Sequence, residues 1–494
     1  MFDHTEILSC DDEIQSNLPF IWQLFIERVD PFIKVLHTPT MEHLFTGRKL
    51  KDEVDVLITY SVSLAAVTAC EDELPQMFFG IPKTQLQHSL RSMTEELLAK
   101  VRFLSSRDIK VAQALAIYVF TLPYIGGDDV AAQMTGILLQ TVLNICRESK
   151  NHKAEYNAET VEERETRKRL WWHTCFLAHR SLPQQMQRAL YPDRPGDALE
   201  FPADLNDVDL ASHLTTSASK PSQTTVCLIR CEMWTLSHFI GQYRGSDLAE
   251  LLDTLQTCKG RIFTKYLPDT SITPWTSFLS TMTTLFFSKI EQSIYGNYLR
   301  QLSSSCDETK PDQQRIRDAL KAFYGTSLQA LQCSYDLSAS GTWDKWTWQL
   351  RGQFPWHAMR AIFLILCNGP WTELSEQSWM LANNVLQKSF TVIPHLPEWS
   401  SLEKLMKQVA DKREDAMARA AASSLSDGQV TDLFNTGPFF FYGSAALGQD
   451  GRSEIKQPSI PQILDVDVDQ WVMSHEWLKD YPALGLGLEY PLQL

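Results

Sequence analysis

Apolar residues recur at helical spacing in one segment after another between residues 18 and 425 of this 494-residue chain. This spacing gathers apolar side chains on one face of a helix, whereas strands would show strict alternation between hairpin turns. Neither such alternation nor a fixed-period repeat is visible. The sequence therefore predicts an all-α protein, a large helical array. The predicted helices span residues 20–29, 54–70, 84–104, 107–122, 130–147, 160–182, 225–243, 248–266, 277–302, 311–336, 355–367, 374–393 and 400–425.

The helix at residues 160–182 carries the most information, and with its flanking Pro183 it reads TVEERETRKRLWWHTCFLAHRSLP. Thr160 and Glu163 have the spacing of a capping box, and Pro183 ends the helix. Similar capping boxes are predicted at Thr84/Gln87 and Ser400/Glu403. One mostly apolar stripe is predicted on this helix, formed by Trp171, Thr174, Cys175, Ala178 and Leu182.

The charged side of this helix is predicted to face solvent. A short basic run such as RKR at residues 167–169 is usually solvated, and a phosphate-binding role is the alternative. Replacing Arg169 by Ala is therefore expected to cost much less stability than replacing Trp171. Two ion pairs in the favourable i,i+4 order are predicted, Glu163–Arg167 and Glu165–Arg169.

The same helix and the following FPADLNDVDL (residues 201–210) resemble a known pair of segments. They are similar to the Arg-rich, double-Trp helix and the "P-x-x-L-N-D-x-D-L" segment in the regulatory domain of fungal zinc-cluster transcription factors. Further segments resemble that domain in a consistent order over roughly residues 18–425. They are LFIERVDPFIKVLHTPT (24–40), QALAIYVF (113–120), MTGILLQTVLNICRE (134–148) and QFPWHAMRAIFLILC (353–367).

The resemblance implies a nuclear, non-enzymatic transcriptional regulator, for example of a fungal metabolic or secondary-metabolite pathway. Such regulators usually carry a six-cysteine zinc cluster and a basic linker, and this sequence contains neither. Its net charge is −15, which repels the phosphates of nucleic acid. Weak or no direct DNA binding is therefore expected, with protein partners (a DNA-binding regulator or a coactivator) and a small-molecule effector as the expected ligands.

Three regions are expected along the chain: an acidic N-terminal tail (1–17), the helical regulatory domain (18–425) and an acidic, aromatic, partly irregular C-terminal segment (426–494). The ten cysteines are scattered without a CxxC pair, which favours buried free thiols in a reducing compartment. The N-terminus lacks a secretory pattern, and no apolar run is long enough to span a membrane. Nuclear localisation rests on the family resemblance.

The sequence offers no catalytic residues, no metal site and no cofactor, and it leaves any cofactor-binding residues unknown. His173 and His179, like His37 and His43, are six residues apart, which does not place a pair on one helical face. Residues 465–476 match part of a calcium loop but lack its turn glycine, so a solvated acidic loop is expected. Three polar residues before residue 210 are expected to cap a helix rather than bind a cation: Asn206, Asp207 and Asp209.

Two other interpretations stay open at this point. The helical domain could have a ligand-binding or biosynthetic role, with an apolar pocket lined by Trp343, Trp346, Trp348 and Trp356. Such tryptophans are more often part of a core. The sequence could also derive from a gene whose upstream exon encodes the zinc cluster.

The C-terminal segment (426–494) contains ten acidic and three basic residues, with aromatic residues between them. Acidic residues that keep aromatic side chains solvated are typical of an activation segment. The alternative is a tail that docks on the helical domain through Phe439–Tyr442, Trp471 and Trp477.

We predict that residues 426–494 activate a reporter gene when fused to an unrelated DNA-binding domain. Replacing Trp471 and Trp477 by Ala should abolish activation, because these rings supply the apolar contacts that a coactivator groove takes up. A docked tail predicts the reverse: an inactive isolated segment, and a lower melting temperature for the chain truncated after residue 425.

Overall fold

The computed structural model describes residues 14–46, 50–151, 159–182, 200–210, 221–242, 247–268, 273–304, 313–350, 354–389 and 399–427. All regular secondary structure in these ranges is helical, so the predicted all-α fold is confirmed. The described residues form two compact units. The first draws on Met1–Phe287 and Leu337–Gln353, and the second on Ser288–Asp336 and Phe354–Ala483. The predicted C-terminal tail, beyond the helix that ends at Asp427, lies outside the described residues.

The α-helices are numbered in chain order. They are α1 (Leu18–Arg28), α2 (Asp30–Ile33), α3 (Thr38–Met41), α4 (Glu53–Ala69), α5 (Glu73–Phe79), α6 (Lys83–Lys100), α7 (Ile109–Thr121), α8 (Asp128–Asn151), α9 (Val161–Ser181), α10 (Thr225–Gln242), α11 (Leu248–Tyr266), α12 (Pro274–Ser304), α13 (Gln313–Ala339), α14 (Asp344–Thr347), α15 (Trp356–Asn368), α16 (Glu373–Ser389) and α17 (Trp399–Asp427). Short 3₁₀ turns follow α3, α7 and α14, at Glu42–Phe45, Leu122–Ile125 and Trp348–Leu350.

Helix α4 is the centre of the first unit. Every residue from 57 to 69 is buried, including the serines and threonines on what would otherwise be a polar face. Helices α1, α6 and α7 pack around it. Three of its hydroxyls donate to carbonyls one turn earlier, as where Ser63 Oγ donates to the Thr59 carbonyl (2.7 Å), whereas the Ser61 hydroxyl is buried without a partner among the described residues. An apolar run on all faces is expected for a helix surrounded by others.

Two tryptophans satisfy the carbonyl groups that α1 leaves unpaired at its C-terminal end. The indole Nε1 of Trp346 donates to the Glu27 carbonyl (3.2 Å), and that of Trp348 donates to the Arg28 carbonyl (2.9 Å). Both rings are almost completely buried. They are core residues of the first unit, whereas Trp356 belongs to the second unit. The burial and hydrogen bonds of Trp346 and Trp348 thus favour a core role over the apolar pocket of the alternative interpretation.

The second unit is held by packing of α15 against α16 and α17. Phe363 and Trp379 are in contact across the first of these interfaces, with ring centroids 5.8 Å apart. The guanidinium of Arg413 binds the carboxylate of Glu376 through Nε and Nη2, at 2.5–2.9 Å. A two-nitrogen contact of this kind fixes the relative orientation of two helices better than a single ion pair.

The cysteines of the described residues are free thiols, as predicted. All but Cys367 are buried, and Cys367 is half-buried. Cys10 and Cys306 lie outside the described residues. The buried cysteines are Cys70, Cys146, Cys175, Cys227, Cys231, Cys258 and Cys333.

Of the three predicted capping boxes, the one at the start of α9 is confirmed. Thr160 Oγ1 accepts from the Glu163 amide (3.2 Å), and the Glu163 carboxylate accepts from the Thr160 amide (3.0 Å). The other two are wrong, because each helix begins earlier than predicted. Helix α6 begins at Lys83 after Pro82, and α17 begins at Trp399, so Thr84 and Ser400 lie inside their helices.

We predict that Thr160→Ala lowers the free energy of unfolding by about 1 kcal/mol, because it leaves an amide of the first turn of α9 unpaired. Thr84→Ala is the matched control. Thr84 is exposed and caps nothing, so its replacement should change stability by no more than about 0.5 kcal/mol. Urea unfolding of both variants measures the difference, and equal losses would contradict the assignment of the two helix starts.

Candidate functional site

The carboxylate of Asp207 is the point where three segments of the first unit meet. Its Oδ1 accepts from Arg169 Nη1 on α9 (2.5 Å). Its Oδ2 accepts from the Lys34 ammonium (2.8 Å) and from both the amide (2.8 Å) and the hydroxyl (2.5 Å) of Thr38. Four donors occupy the acceptor sites of a single carboxylate, which is itself almost completely buried.

Lys34 reaches Asp207 because the chain leaves α2 in an unusual conformation. Lys34 follows the last residue of α2 with φ of 38° and ψ of 41°, in the left-handed region that non-glycine residues rarely adopt. Its three ammonium hydrogens have three partners: Asp207, Asp30 Oδ2 (2.6 Å) and Thr38 Oγ1 (3.0 Å). The left-handed backbone conformation of Lys34 costs about 1–3 kcal/mol. It is held in place by the ammonium group, whose three hydrogens all have partners.

Helix α9 also binds the residues that precede Asp207, in and next to what we call the Asp207 segment (residues 201–210). The Glu165 carboxylate accepts from the Ala203 amide (2.6 Å). Trp172 donates from its indole to the Glu200 carbonyl (3.1 Å) and lies edge-on to the Phe201 ring, with centroids 5.0 Å apart. The Arg-rich, double-Trp helix and the segment that resembles "P-x-x-L-N-D-x-D-L" are therefore direct partners.

The residues that lead into α10 hold the other side of the Asp207 segment. Ser222 Oγ donates to Asp204 Oδ1 (2.6 Å), and the Gln223 side chain accepts from the Asp207 amide (2.9 Å). Asn206 accepts from the Gln223 amide (2.9 Å) instead of capping the 3₁₀ turn Asp207–Asp209. The predicted capping role of Asn206 and Asp207 is therefore wrong, because tertiary partners take up both side chains.

Asp30, Lys34, Arg169 and Asp207 form a buried group with two positive and two negative charges, which we call the ionic cluster. Burial opposes ionisation of Asp207, but Lys34 and Arg169 outweigh it and lower the pKa of Asp207 below its ordinary value of 3.8. Burial raises the pKa of Asp30, against the attraction of Lys34. Removing one partner from a buried pair leaves an uncompensated charge, which typically costs about 3–5 kcal/mol.

The prediction that the basic run of α9 faces solvent is wrong. Arg169 is fully buried and Arg167 is 3% exposed. The two predicted i,i+4 ion pairs are wrong as well, because Arg167 binds Glu159 (2.7 Å) and Arg169 binds Asp207. Trp171 is buried as predicted. Since both side chains are buried, Arg169→Ala and Trp171→Ala should now cost comparable stability, about 3–5 kcal/mol each.

The described residues contain no group of three His, Cys, Asp or Glu side chains that could hold a metal ion. His173 lies between the rings of Phe120 and Phe176, with centroids 5.6 and 6.0 Å away. Burial, together with Arg230 and Arg180, lowers the pKa of His173 well below its ordinary value, so this imidazole is neutral at pH 7. The partial calcium pattern at residues 465–476 lies outside the described residues.

No helix in the described part of the chain combines the length and the apolar composition needed to cross a bilayer. The arrangement around Asp207 binds segments of the protein to one another. The contacts of Asp207 therefore hold α2, α9 and the Asp207 segment in fixed positions.

Comparison with known proteins shows what the chain is related to. No family model matches it. Aurofusarin cluster transcription factor aurR2 of Gibberella zeae is 27% identical over 219 residues, 43% of this chain and 32% of that protein. Transcriptional regulator AacuB of Aspergillus aculeatus is 21% identical over 378 residues, 73% of this chain and 50% of that protein. Pyriculol/pyriculariol biosynthesis cluster transcription factor 1 of Pyricularia oryzae is 27% identical over 196 residues, 38% of this chain and 26% of that protein.

The chain is a homologue of fungal zinc-cluster transcription factors. The resemblance seen in the sequence motifs is thereby confirmed. The chain matches 26–50% of the length of these three relatives. Three of the motifs that carried the resemblance, at residues 24–40, 160–182 and 201–210, supply the four charges of the ionic cluster.

We predict that Asp207→Asn lowers the free energy of unfolding by about 3–5 kcal/mol, because Lys34 and Arg169 stay buried without their common anion. Asp209→Asn is the matched control two residues away. Asp209 is half-buried and accepts from the side-chain Nδ2 of Asn206, so its replacement should cost about 1 kcal/mol or less. Losses of the same size in denaturant unfolding would show that the ionic cluster has no special role.

The same pair of proteins gives a test of the pH dependence. The lowered pKa of Asp207 stabilises the folded protein at pH values above 3.8, and this contribution declines as pH falls below 3.8 towards the folded-state pKa. The stability gap between the wild type and Asp207→Asn should therefore shrink as pH falls below 3.8. A gap that is constant between pH 7 and pH 3 would contradict the depressed pKa.

We predict that Arg169→Ala destabilises the protein by about 3–5 kcal/mol. Arg164→Ala, on the same helix with a side chain that is 39% exposed, should cost about 1 kcal/mol or less. Thermal or urea unfolding compares the two variants. If Arg169→Ala behaved like Arg164→Ala, the guanidinium of Arg169 would be solvated as the sequence alone suggested.

Proposed function

We propose that this protein is a transcriptional regulator of a fungal biosynthetic pathway, and that it acts in the nucleus through protein partners. Residues 18–425 form its regulatory domain, flanked by an acidic N-terminal tail (1–17) and an acidic, aromatic segment (426–494). The homology carries the proposal, because two of the relatives are named as transcription factors of the aurofusarin cluster and of the pyriculol/pyriculariol biosynthesis cluster. The protein is not an enzyme in this proposal.

The structure supports this function through the ionic cluster. Lys34, Arg169 and Asp207 come from three motifs that resemble the family's regulatory domain, and each charge is buried and paired with the others. A regulatory domain needs a fixed surface for its partners, and buried charge pairs admit few alternative packings of the elements that carry them. The net charge of −15 supports contact with DNA through a partner, either a DNA-binding regulator or a coactivator.

The alternative of a ligand-binding or biosynthetic role depended on a pocket lined by four tryptophans. Trp346 and Trp348 instead complete the end of α1 and are core residues. No observation in the described residues favours an enzyme, so a biosynthetic role is not proposed further.

Two measurements test the proposal. Transcripts of the fungus should be compared with and without the gene for this chain, and transcripts of one biosynthetic gene cluster should change severalfold. The chain should also change reporter expression when it is tethered to a promoter through an unrelated DNA-binding domain. Tethered Asp207→Asn should lose this effect, and tethered Asp209→Asn should keep it at equal protein level. Unchanged transcripts together with an inactive tethered chain would contradict the proposal.

A further inference from the structure

An open cleft of about 620 Å³ lies within the first unit. It is formed where the C-terminal end of α4 and the first turns of α6 meet the 3₁₀ turn Leu122–Ile125 and Trp348. Its volume is within the range of about 300–1,000 Å³ that is usual for small-molecule sites. No residue of the ionic cluster lines this cleft.

The floor of the cleft is aromatic. The rings of Tyr124 and Trp348 meet edge to face with centroids 4.9 Å apart, and Phe120 packs behind both at 5.9 and 6.0 Å. The polar atoms of the two floor residues are engaged with the protein: Tyr124 OH accepts from Arg180 (3.2 Å), and Trp348 Nε1 donates to the Arg28 carbonyl. Because Trp348 is almost completely buried, the half-buried Tyr124 ring offers most of the apolar contact.

The rim of the cleft is polar but carries little net charge. The side-chain Nε2 of Gln87 donates to Thr68 Oγ1 (3.2 Å), and the side-chain Nε2 of Gln76 donates to the Gly80 carbonyl (3.0 Å). These contacts leave the two amide oxygens as acceptors. The ammonium of Lys83 binds the Asp72 carboxylate (3.0 Å), so the two charges compensate each other.

We propose that this cleft binds an uncharged, planar, hydroxylated aromatic molecule of two or three fused rings. An aromatic floor favours a flat ring, because aromatic rings attract one another in offset or edge-to-face contact. Amide oxygens on the rim accept hydrogen bonds from ring hydroxyls. A compensated charge pair gives an ionised ligand no net attraction. The inference rests on the proposed function only in treating this ligand as an effector of the regulator.

The position of the cleft gives such a ligand a route to the ionic cluster. Trp348 donates to the carbonyl of Arg28, the last residue of α1, and Asp30 lies two residues further along the chain. A ligand packed on Tyr124 and Trp348 therefore contacts the residue that fixes the end of α1, immediately before the turn into the ionic cluster.

Isothermal titration calorimetry on the purified full chain tests the proposal, with 1,5-dihydroxynaphthalene as the probe. We expect saturable binding at one site. Gln87→Ala should weaken it about three- to tenfold, because it removes one hydrogen-bond acceptor. Gln85→Ala, an exposed neighbour on α6 that does not line the cleft, should leave it unchanged. The saturated diol 1,5-decalindiol should bind about three- to tenfold more weakly, because it cannot make the aromatic contact.

Thr84→Trp is the second variant, because an exposed residue that lines the cleft can carry a ring that fills it. Binding should be lost in this variant, while its melting temperature stays close to that of the wild type. The absence of saturable binding to the wild type would overturn the proposal, as would equal affinity for the two diols. Unchanged binding to both Gln87→Ala and Thr84→Trp would place the ligand elsewhere. Calorimetry involves no transcription, so a failure here leaves the tethered-promoter result unaffected.

Discussion

The organisation of the first unit depends on one buried carboxylate, that of Asp207. It accepts hydrogen bonds from Arg169, from Lys34 and twice from Thr38, and so joins α9 to the turn after α2. Buried ion pairs are not necessarily more stable than apolar packing of the same volume. Buried ion pairs do, however, strongly disfavour any packing of the helices that leaves one of these charges without its partner. The ionic cluster thus specifies one relative position for elements that are about 170 residues apart in sequence.

The charges of the ionic cluster lie within short segments that carry the family resemblance. Lys34 lies in FIKVL, Arg169 precedes LWW, and Asp207 lies in LNDVDL, so each charge is next to at least one apolar residue. The strained backbone at Lys34 is acceptable only where the ammonium finds all three of its partners. Together these contacts give a physical reason for the residue types found in each motif.

The fold class and most helices could be predicted from the sequence, because periodicity and capping are local properties. The helix Leu248–Tyr266 has the predicted bounds, and the capping box at Thr160 is confirmed. The site could not be predicted in the same way. Arg169 looked like part of a solvated basic run, and its true partner is 38 residues away. Lys34, a single charge among the apolar residues of FIKVL, was the available signal, since such a charge needs a buried partner. Which partner it binds is decided by tertiary structure.

A double-mutant cycle between Arg169→Met and Asp207→Asn tests the central claim most directly. Unfolding free energies of the wild type, the two single variants and the double variant give the coupling between the two side chains. The ionic cluster predicts a coupling of about 2–3 kcal/mol, because the second substitution removes a charge that the first has already left unpaired. Arg167→Met serves as the control and should be additive with Asp207→Asn, because Arg167 binds Glu159 instead. A coupling between Arg169 and Asp207 within about 0.5 kcal/mol of zero would contradict the account.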